Sequence, residues 1–331
     1  MAIMQQIYKF VSSMKTGLVL LLMIGLASAA GASLLPGTFF KTAFFEALLV
    51  LLLLNMTLCT VNRLKTTCRL LLKHVGSRAW FRQAGILLLH GGMILILLGA
   101  GVYAFQGQES RIHLCAGEQV DMSRVLKVKH PFTVRLNEFR IDFNEDGSPS
   151  QYVSEITVLE QGKKIKDISV NVNNPLNYNG VKAYQSSFGH LVEVQYTAKN
   201  GAKQIDRFAE GDLLEPANTD RTVKIYRYIP NFNPAHGMNS VTMRPDNPHI
   251  IFSVYAGDKL LGIGTAKFNE PTRIDEDVYL VFKGVEPYTI LQVKADPGLP
   301  LALTGGILLL LGICLAVLTA PAKKSALVHD L

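Results

Sequence analysis

Four long apolar runs interrupt an otherwise mixed pattern. The first lies in the uncharged stretch between Lys15 and Lys41 and contains GLVLLLMIGLASAAGASLL, and the second runs from about Phe44 to Thr60. The third runs from Ala84 to about Phe105 inside the charge-free segment Gln83 to Gln108, and the fourth from about Leu299 to Ala320. About 20 predominantly apolar residues are what a helix needs to cross the hydrocarbon core of a bilayer, so each run predicts a span. Ala27-Ser28-Ala29 also suits a secretory cleavage site, but the apolar character continues through Leu34-Leu35, which favours a retained helix. Glu46 sits near the outer end of the second run, within reach of headgroups, and Asn55 is that run's one strongly polar interior residue.

Between the third and fourth runs the pattern changes to period two. FTVRLNEFRIDF, YVSEITVLE, LVEVQYTA, TVKIYRYI, IIFSVYA and VYLVFK alternate and are rich in β-branched and aromatic residues, with turns suggested at Lys199-Asn200-Gly201 and Gly257-Asp258. A mostly antiparallel β-sheet or sandwich is expected there. The organisation predicted is an α+β membrane protein with four transmembrane helices, three plus one. Residues 1–106 form a three-helix membrane region with a basic loop at 62–82, residues 107–296 a β-rich domain, and residues 297–331 the fourth helix and a tail.

Charge supplies direction. The chain of 331 residues has a formal net charge of +7, which invites a nucleic-acid reading. From Gly107 to Asp296, however, 22 basic residues face 24 acidic ones, and the rest of the chain holds 11 basic and only 2 acidic. The positive excess therefore belongs to the apolar part. A nucleic-acid partner, which needs a basic stripe on a folded polar domain, is set aside. Arg63, Lys65, Arg69, Lys73, Arg78 and Arg82 in the acid-free segment 62–82 mark a cytoplasmic loop. Lys9, Lys15, Lys323 and Lys324 fall on the same side, and Lys41 alone falls outside. The termini are then cytoplasmic and the β-domain extracytoplasmic.

Chemistry is sparse. Of the cysteines, Cys59 and Cys314 belong to spans, Cys68 to the basic segment and Cys115 alone to the β-domain, so that domain holds no internal disulfide. No C-x-x-C, H-E-x-x-H, phosphate loop or G-x-S-x-G elbow occurs. His113, His130, His190, His236 and His249 show no metal-ligand spacing and read as surface or satisfied core residues. His90 is different: it is the one ionisable side chain well inside a span, and such groups are costly and functional by default. Two readings stand. A neutral imidazole hydrogen-bonded across the bundle to a residue such as Asn55 would serve helix association. Equally, it would serve as a metal or haem ligand, with Gly91-Gly92 leaving a bare patch for a flat macrocycle or another helix. Met93, one turn on along the same face, cannot supply the opposite axial ligand, so a second ligand would come from another chain.

The chain resembles the ResB (Ccs1, CcsB) family of system II cytochrome c biogenesis proteins over nearly its whole length. The likeness rests on GASLLPG after the first run and on LLLLNMTLCTVNRL with Asn55, Cys59 and Arg63. It rests further on Asn173, Pro175, Leu176, Tyr178, Gly180, Tyr184 and Gln185 in VNVNNPLNYNGVKAYQSSFGH, and on ADPGLPLALTGG leading into the last run. The Pro175 to Gly180 segment also suits a simple sheet corner. The resemblance implies a subunit of the bacterial cytoplasmic (inner) membrane that helps carry haem b, transported or shared and not covalently attached, to apocytochrome c. It implies a multi-spanning CcsA/CcsB-type partner that holds the ligation chemistry, a thioredoxin-like thiol reductant as a further partner, and no activity of this chain alone. His90 matches the family's third-span histidine, an axial ligand of haem iron. The chain resembles short, unfused members and lacks the partner's tryptophan-rich external segment. The competing expectation is a membrane scaffold that binds no haem and whose β-domain docks a partner protein.

Overall fold

A computed structural model of the protein describes residues 2–35, 38–72 and 77–319; Lys73, Lys323 and Lys324 of the orientation argument lie outside them. Two compact units result, Met1–Gly107 with Asp296–Leu331, and Gln108–Ala295.

The first unit is helical: α1 (Ala2–Val11), α2 (Met14–Leu34), α3 (Ala43–Leu72), α4 (Ser77–Gln106) and α5 (Leu299–Leu318). Four of them, α2 to α5, are long and apolar enough to cross a membrane. Two features depart from expectation. The segment 62–82 is largely not a loop, because α3 continues to Leu72 and α4 starts at Ser77; Lys, Arg and Leu are good helix formers, so leaving the apolar zone does not end the helix. And the residues before the first span form a helix of their own. In α1, Ile3, Met4, Ile7 and Phe10 lie along one exposed face and Gln5, Gln6 and Lys9 along the other. The chain breaks at Ser12-Ser13, where the Ser13 hydroxyl caps α2 by accepting from the Thr16 amide at 3.1 Å.

Helices α4 and α5 pack antiparallel through glycines spaced seven apart, Gly85, Gly92 and Gly99 on one and Gly298, Gly305 and Gly312 on the other. A Cβ on Gly92 would lie 2.5 Å from the Gly305 carbonyl oxygen, and one on Gly305 2.6 Å from that of Gly92. The backbones touch, as small residues permit in membrane helix pairs. Asp296 starts α5: its carboxylate accepts from the amides of Gly298 and Leu299 at 3.0 and 2.9 Å. The Asp-Pro-Gly sequence thus supplies a cap and then a residue small enough to lie against Gly99.

The second unit contains fourteen strands. A six-stranded sheet has the order β1 (Gln108–Leu114), β14 (Tyr279–Ala295), β7 (Val181–Thr197), β6 (Leu176–Tyr178), with β13 (Pro271–Arg273) also on β14 and β8 (Lys203–Ala209) also on β7. Two four-stranded sheets are β2 (Gln119–Asp121), β3 (Thr133–Phe143), β4 (Pro149–Glu160), β5 (Lys163–Val170), and β12 (Lys259–Lys267), β11 (His249–Ala256), β10 (Arg221–Ile229), β9 (Leu213–Leu214). The named strands pair antiparallel. Strands β7 and β14, 17 residues each, serve two cores. Val181, Ala183, Leu291 and Val293 join Val134, Leu136 and Ile156 in one; Val192, Val194, Leu280 and Phe282 join Val223, Ile225 and Ile250 in the other. Between the cores lies a waist at Phe188 to His190 and Pro287-Tyr288.

Candidate functional site

His90 lies thirteen residues into α4, half-buried, in a cleft of about 320 Å3 lined by Ser12, Met14, Cys59, Arg63 and Gln83 among others. Its Nδ1 is sealed from solvent and accepts or donates no hydrogen bond among the described residues. Leaving a buried polar atom unpaired costs about 1–3 kcal/mol, a cost that no hydrogen bond from the described residues offsets.

Asn55 is not its partner. The Asn55 amide donates to the carbonyl oxygens of Val11 at 2.5 Å and Ser13 at 3.1 Å, and the Cys59 thiol, one turn further along α3, donates to that of Ser12 at 3.2 Å. These three carbonyls lie at the break between α1 and α2, where that of Ser13 also accepts from the Gly17 amide at 3.2 Å. Asn55 and Cys59 therefore hold the break against α3, and Gly17 admits the Asn55 side chain, since a Cβ there would lie 2.6 Å from its Oδ1. Tyr8 adds a hydroxyl bond to Asn62 at 2.8 Å.

Arg63 continues the stripe at i+4 from Cys59 and lines the cleft. Its guanidinium reaches only the Gln83 side chain, at 3.4 Å, with no carboxylate against it among the described residues. The cleft thus joins an unpaired imidazole and a cation without a counter-anion, contributed by α3, α4 and the α1–α2 break. Gly92 is filled by α5, whereas a Cβ on Gly91 would meet nothing within 4 Å; of the bare pair, one glycine packs a helix and the other stays open. No group of three or more metal-ligating side chains occurs among the described residues.

The Asn173 to Gln185 block is a corner of the sheet. Leu176 is fully buried, Tyr178 packs edge-on against Phe132 at 5.1 Å, and Asn179 and Gly180, both with positive φ, form the two-residue turn that joins β6 to β7. Gln185 accepts from the buried hydroxyls of Ser154 and Thr289, both at 2.9 Å, and so ties β4, β7 and β14 together. Cys115 is a buried thiol, its acidity lowered by burial and by Glu118 and Glu286. Of the β-unit histidines, His249 is buried with its Nδ1 3.1 Å from the Asn247 carbonyl oxygen, while His113, His130 and His236 are exposed. His190 is neither satisfied nor exposed.

Comparison with known proteins agrees over most of the chain. The family model described as "ResB-like family" matches residues 74–323. The chain is 28% identical over 263 residues to "Cytochrome c biogenesis protein CcsB" of Gloeobacter violaceus, covering 72% of this chain and 51% of that one. It is 23% identical over 222 residues to "Cytochrome c biogenesis protein Ccs1" of Porphyra purpurea, covering 65% and 48%. The chain spans about half the length of the curated relatives it matches. Among solved structures, "Cytochrome c Heme Lyase CcmF" aligns over 92% of this chain and 35% of its own at a TM-score of 0.32 and 13% identity, a likeness too loose to carry an argument.

Proposed function

The chain belongs to the ResB-like family, and on that footing we propose that it is a haem-handling subunit of a system II cytochrome c biogenesis complex in the bacterial cytoplasmic membrane. Residues 1–106 and 297–331 form its membrane region with both termini cytoplasmic, and residues 107–296 its extracytoplasmic domain between the third and fourth spans. The observation that carries the reading is the unpaired His90 imidazole in an open cleft of a membrane helix. Haem b, held without covalent attachment, brings an iron that a neutral imidazole ligates and the vinyl groups that become thioether-linked in a c-type cytochrome.

This chain's residues would hold the group through His90 as ligand to the iron, Arg63 as a cation for a propionate, and an uncrowded approach beside Gly91. Asn55 and Cys59 act on the site only by fixing the α1–α2 break that forms one wall. Since α2 to α5 hold no second histidine, a second ligand would come from a CcsA-type partner, which would also carry the ligation chemistry. Apocytochrome c receives the haem, and a thioredoxin-like reductant keeps its thiols reduced.

The test is a reduced-minus-oxidised haem spectrum of the chain co-purified with its CcsA-type partner. His90→Ala is expected to lose most of the bound haem at equal complex yield and to regain it with added imidazole. Unchanged haem in the variant would remove His90 as a ligand and leave a membrane scaffold.

A further inference from the structure

The waist of the β unit holds a pocket of about 500 Å3, within the range of small-molecule and cofactor sites. Phe188 and His190, alternate residues of β7, and Tyr228 of β10 are part of its wall, and Arg227, Met243 and Tyr288 line it too. His190 is fixed by rings and not by hydrogen bonds, edge-on to Phe188 at 5.5 Å and tilted against Tyr228 at 4.6 Å. Neither of its nitrogens has a partner among the described residues, and neither is sealed from solvent.

Other polar groups at the pocket are equally uncommitted. The Tyr228 and Tyr288 hydroxyls bond to nothing among the described residues, and Arg227 has no carboxylate against it. Arg140, Arg207, Arg221 and Arg244 of the same unit do pair with acids. Glu210, also on the lining, is turned to the Tyr228 backbone amide at 3.0 Å. Gly189 is bare because Tyr288 lies across it. An aromatic wall, a free imidazole, a thioether and an unpaired guanidinium match a flat, mainly apolar ligand that carries a metal and a carboxylate.

We propose that this waist pocket is a second haem-docking site, with His190 as ligand to the iron and Arg227 as partner to a propionate. The inference rests on the haem-handling reading of the chain but uses none of the residues of the membrane cleft. Burial lowers the His190 pKa to about 4, so at neutral pH the ring is uncharged and its lone pair available. A haem that leaves the membrane cleft would then find a resting place on the extracytoplasmic unit.

The experiment is a titration of Fe(III) protoporphyrin IX into the full chain in lipid nanodiscs, followed by the Soret band and by magnetic circular dichroism. In a His90→Ala background the chain is expected to bind one equivalent with an imidazole-iron signature. Adding His190→Gln should abolish that signature and weaken binding at least about tenfold. Arg227→Gln, a change at an exposed residue that leaves the fold intact, should weaken it about five- to tenfold with the signature retained. Failure of the His90→Ala chain to bind, or binding indifferent to both waist substitutions, overturns the proposal; indifference would mark the haem as adventitious. The two readings fail separately when each single variant is compared with the parent chain: haem lost in His90→Ala and fully kept in His190→Gln sinks the waist site, and haem lost in His190→Gln and fully kept in His90→Ala sinks the membrane ligand.

Discussion

The two units differ in how their interiors are held. In the sheets, away from the waist pocket and apart from the Ser253 hydroxyl, buried polar side chains are paired within the unit: Ser154, Gln185 and Thr289 form a closed triad, and Thr157 bonds both Asn137 and Asp167. In the helical unit the tightest contact is made by side chains that are missing, along the glycines of α4 and α5, while His90 and Arg63 are left open to a cleft. A well-paired interior specifies one structure; an unpaired one waits for a ligand. The contrast runs through α4 itself, whose Gly92 face is closed backbone to backbone and whose His90 face is not.

The sharpest way to break the comparison is to put a side chain on each face of α4. Gly92→Leu drives carbon into the Gly305 carbonyl and the Leu309 backbone, which cannot give way, so a loss of about 3 kcal/mol or more is expected. Gly91→Leu meets open space and should leave stability within about 1 kcal/mol of the parent, since Leu is the better helix former. Thermal unfolding of the full chain in detergent, read by circular dichroism, checks both. Equal effects would mean that the glycine seam is not what holds α4 to α5.

A smaller effect is expected at the α1–α2 break. Asn55→Ala removes the two bonds its amide donates to the Val11 and Ser13 carbonyls, and interhelical bonds of this kind contribute about 0.6 to 1.7 kcal/mol each in membranes. The same thermal measurement should show a loss of about 1–3 kcal/mol, and protease should cut the N-terminal segment ahead of Met14 sooner. If α1 stays protected, the break is held by Tyr8 and Cys59 instead.

Much of this was legible beforehand, and the exceptions share a cause. Hydropathy located α2 to α5, and alternation located β3, β4, β10 and β11 closely. It found only parts of β7 and β14, because extra residues at Ser186 in β7 and Lys283 in β14 shift the period and Pro287 and Gly189 interrupt it at the waist. The basic segment read as loop because charge was taken to end a helix, and α1 went unread because its ten residues are too short to span. The Gly85 and Gly298 series have meaning only once the two helices lie side by side. His90 stood out in the sequence as a lone ionisable residue in an apolar run. Its surroundings did not, since Ser12, Arg63 and Gln83 come from three separate segments, and neither did His190, one of five unremarkable histidines until β7, β10 and β14 enclose it.

Acid offers the finest test of how differently the units are held. The Glu155 carboxylate accepts from the Ser169 hydroxyl at 2.6 Å and from Arg140 at 2.9 Å, and these bonds, the hydroxyl's first, hold its pKa below the ordinary 4.5. Asp275, bonded by the Thr219 hydroxyl, and Asp167, beside Lys164 and the Thr157 hydroxyl, are shifted the same way. A carboxyl whose pKa is lower folded than unfolded stabilises the fold fully above its unfolded pKa and loses that contribution as pH falls through the folded one. The urea midpoint of the β unit, followed by strand circular dichroism in the full chain, should therefore be insensitive to these groups from pH 7 to about 5.5 and fall below about 4.5. Ser169→Ala should lie below the parent at pH 6 and converge on it as the pH falls through the folded pKa of Glu155, because the bond it deletes is one the parent also loses on protonation. The Gly92→Leu deficit, which is steric, should keep its size across the same range. A Ser169→Ala deficit that persists in acid would mean that this hydroxyl acts by packing, and that the β unit is held at Glu155 by the same kind of contact as the helices.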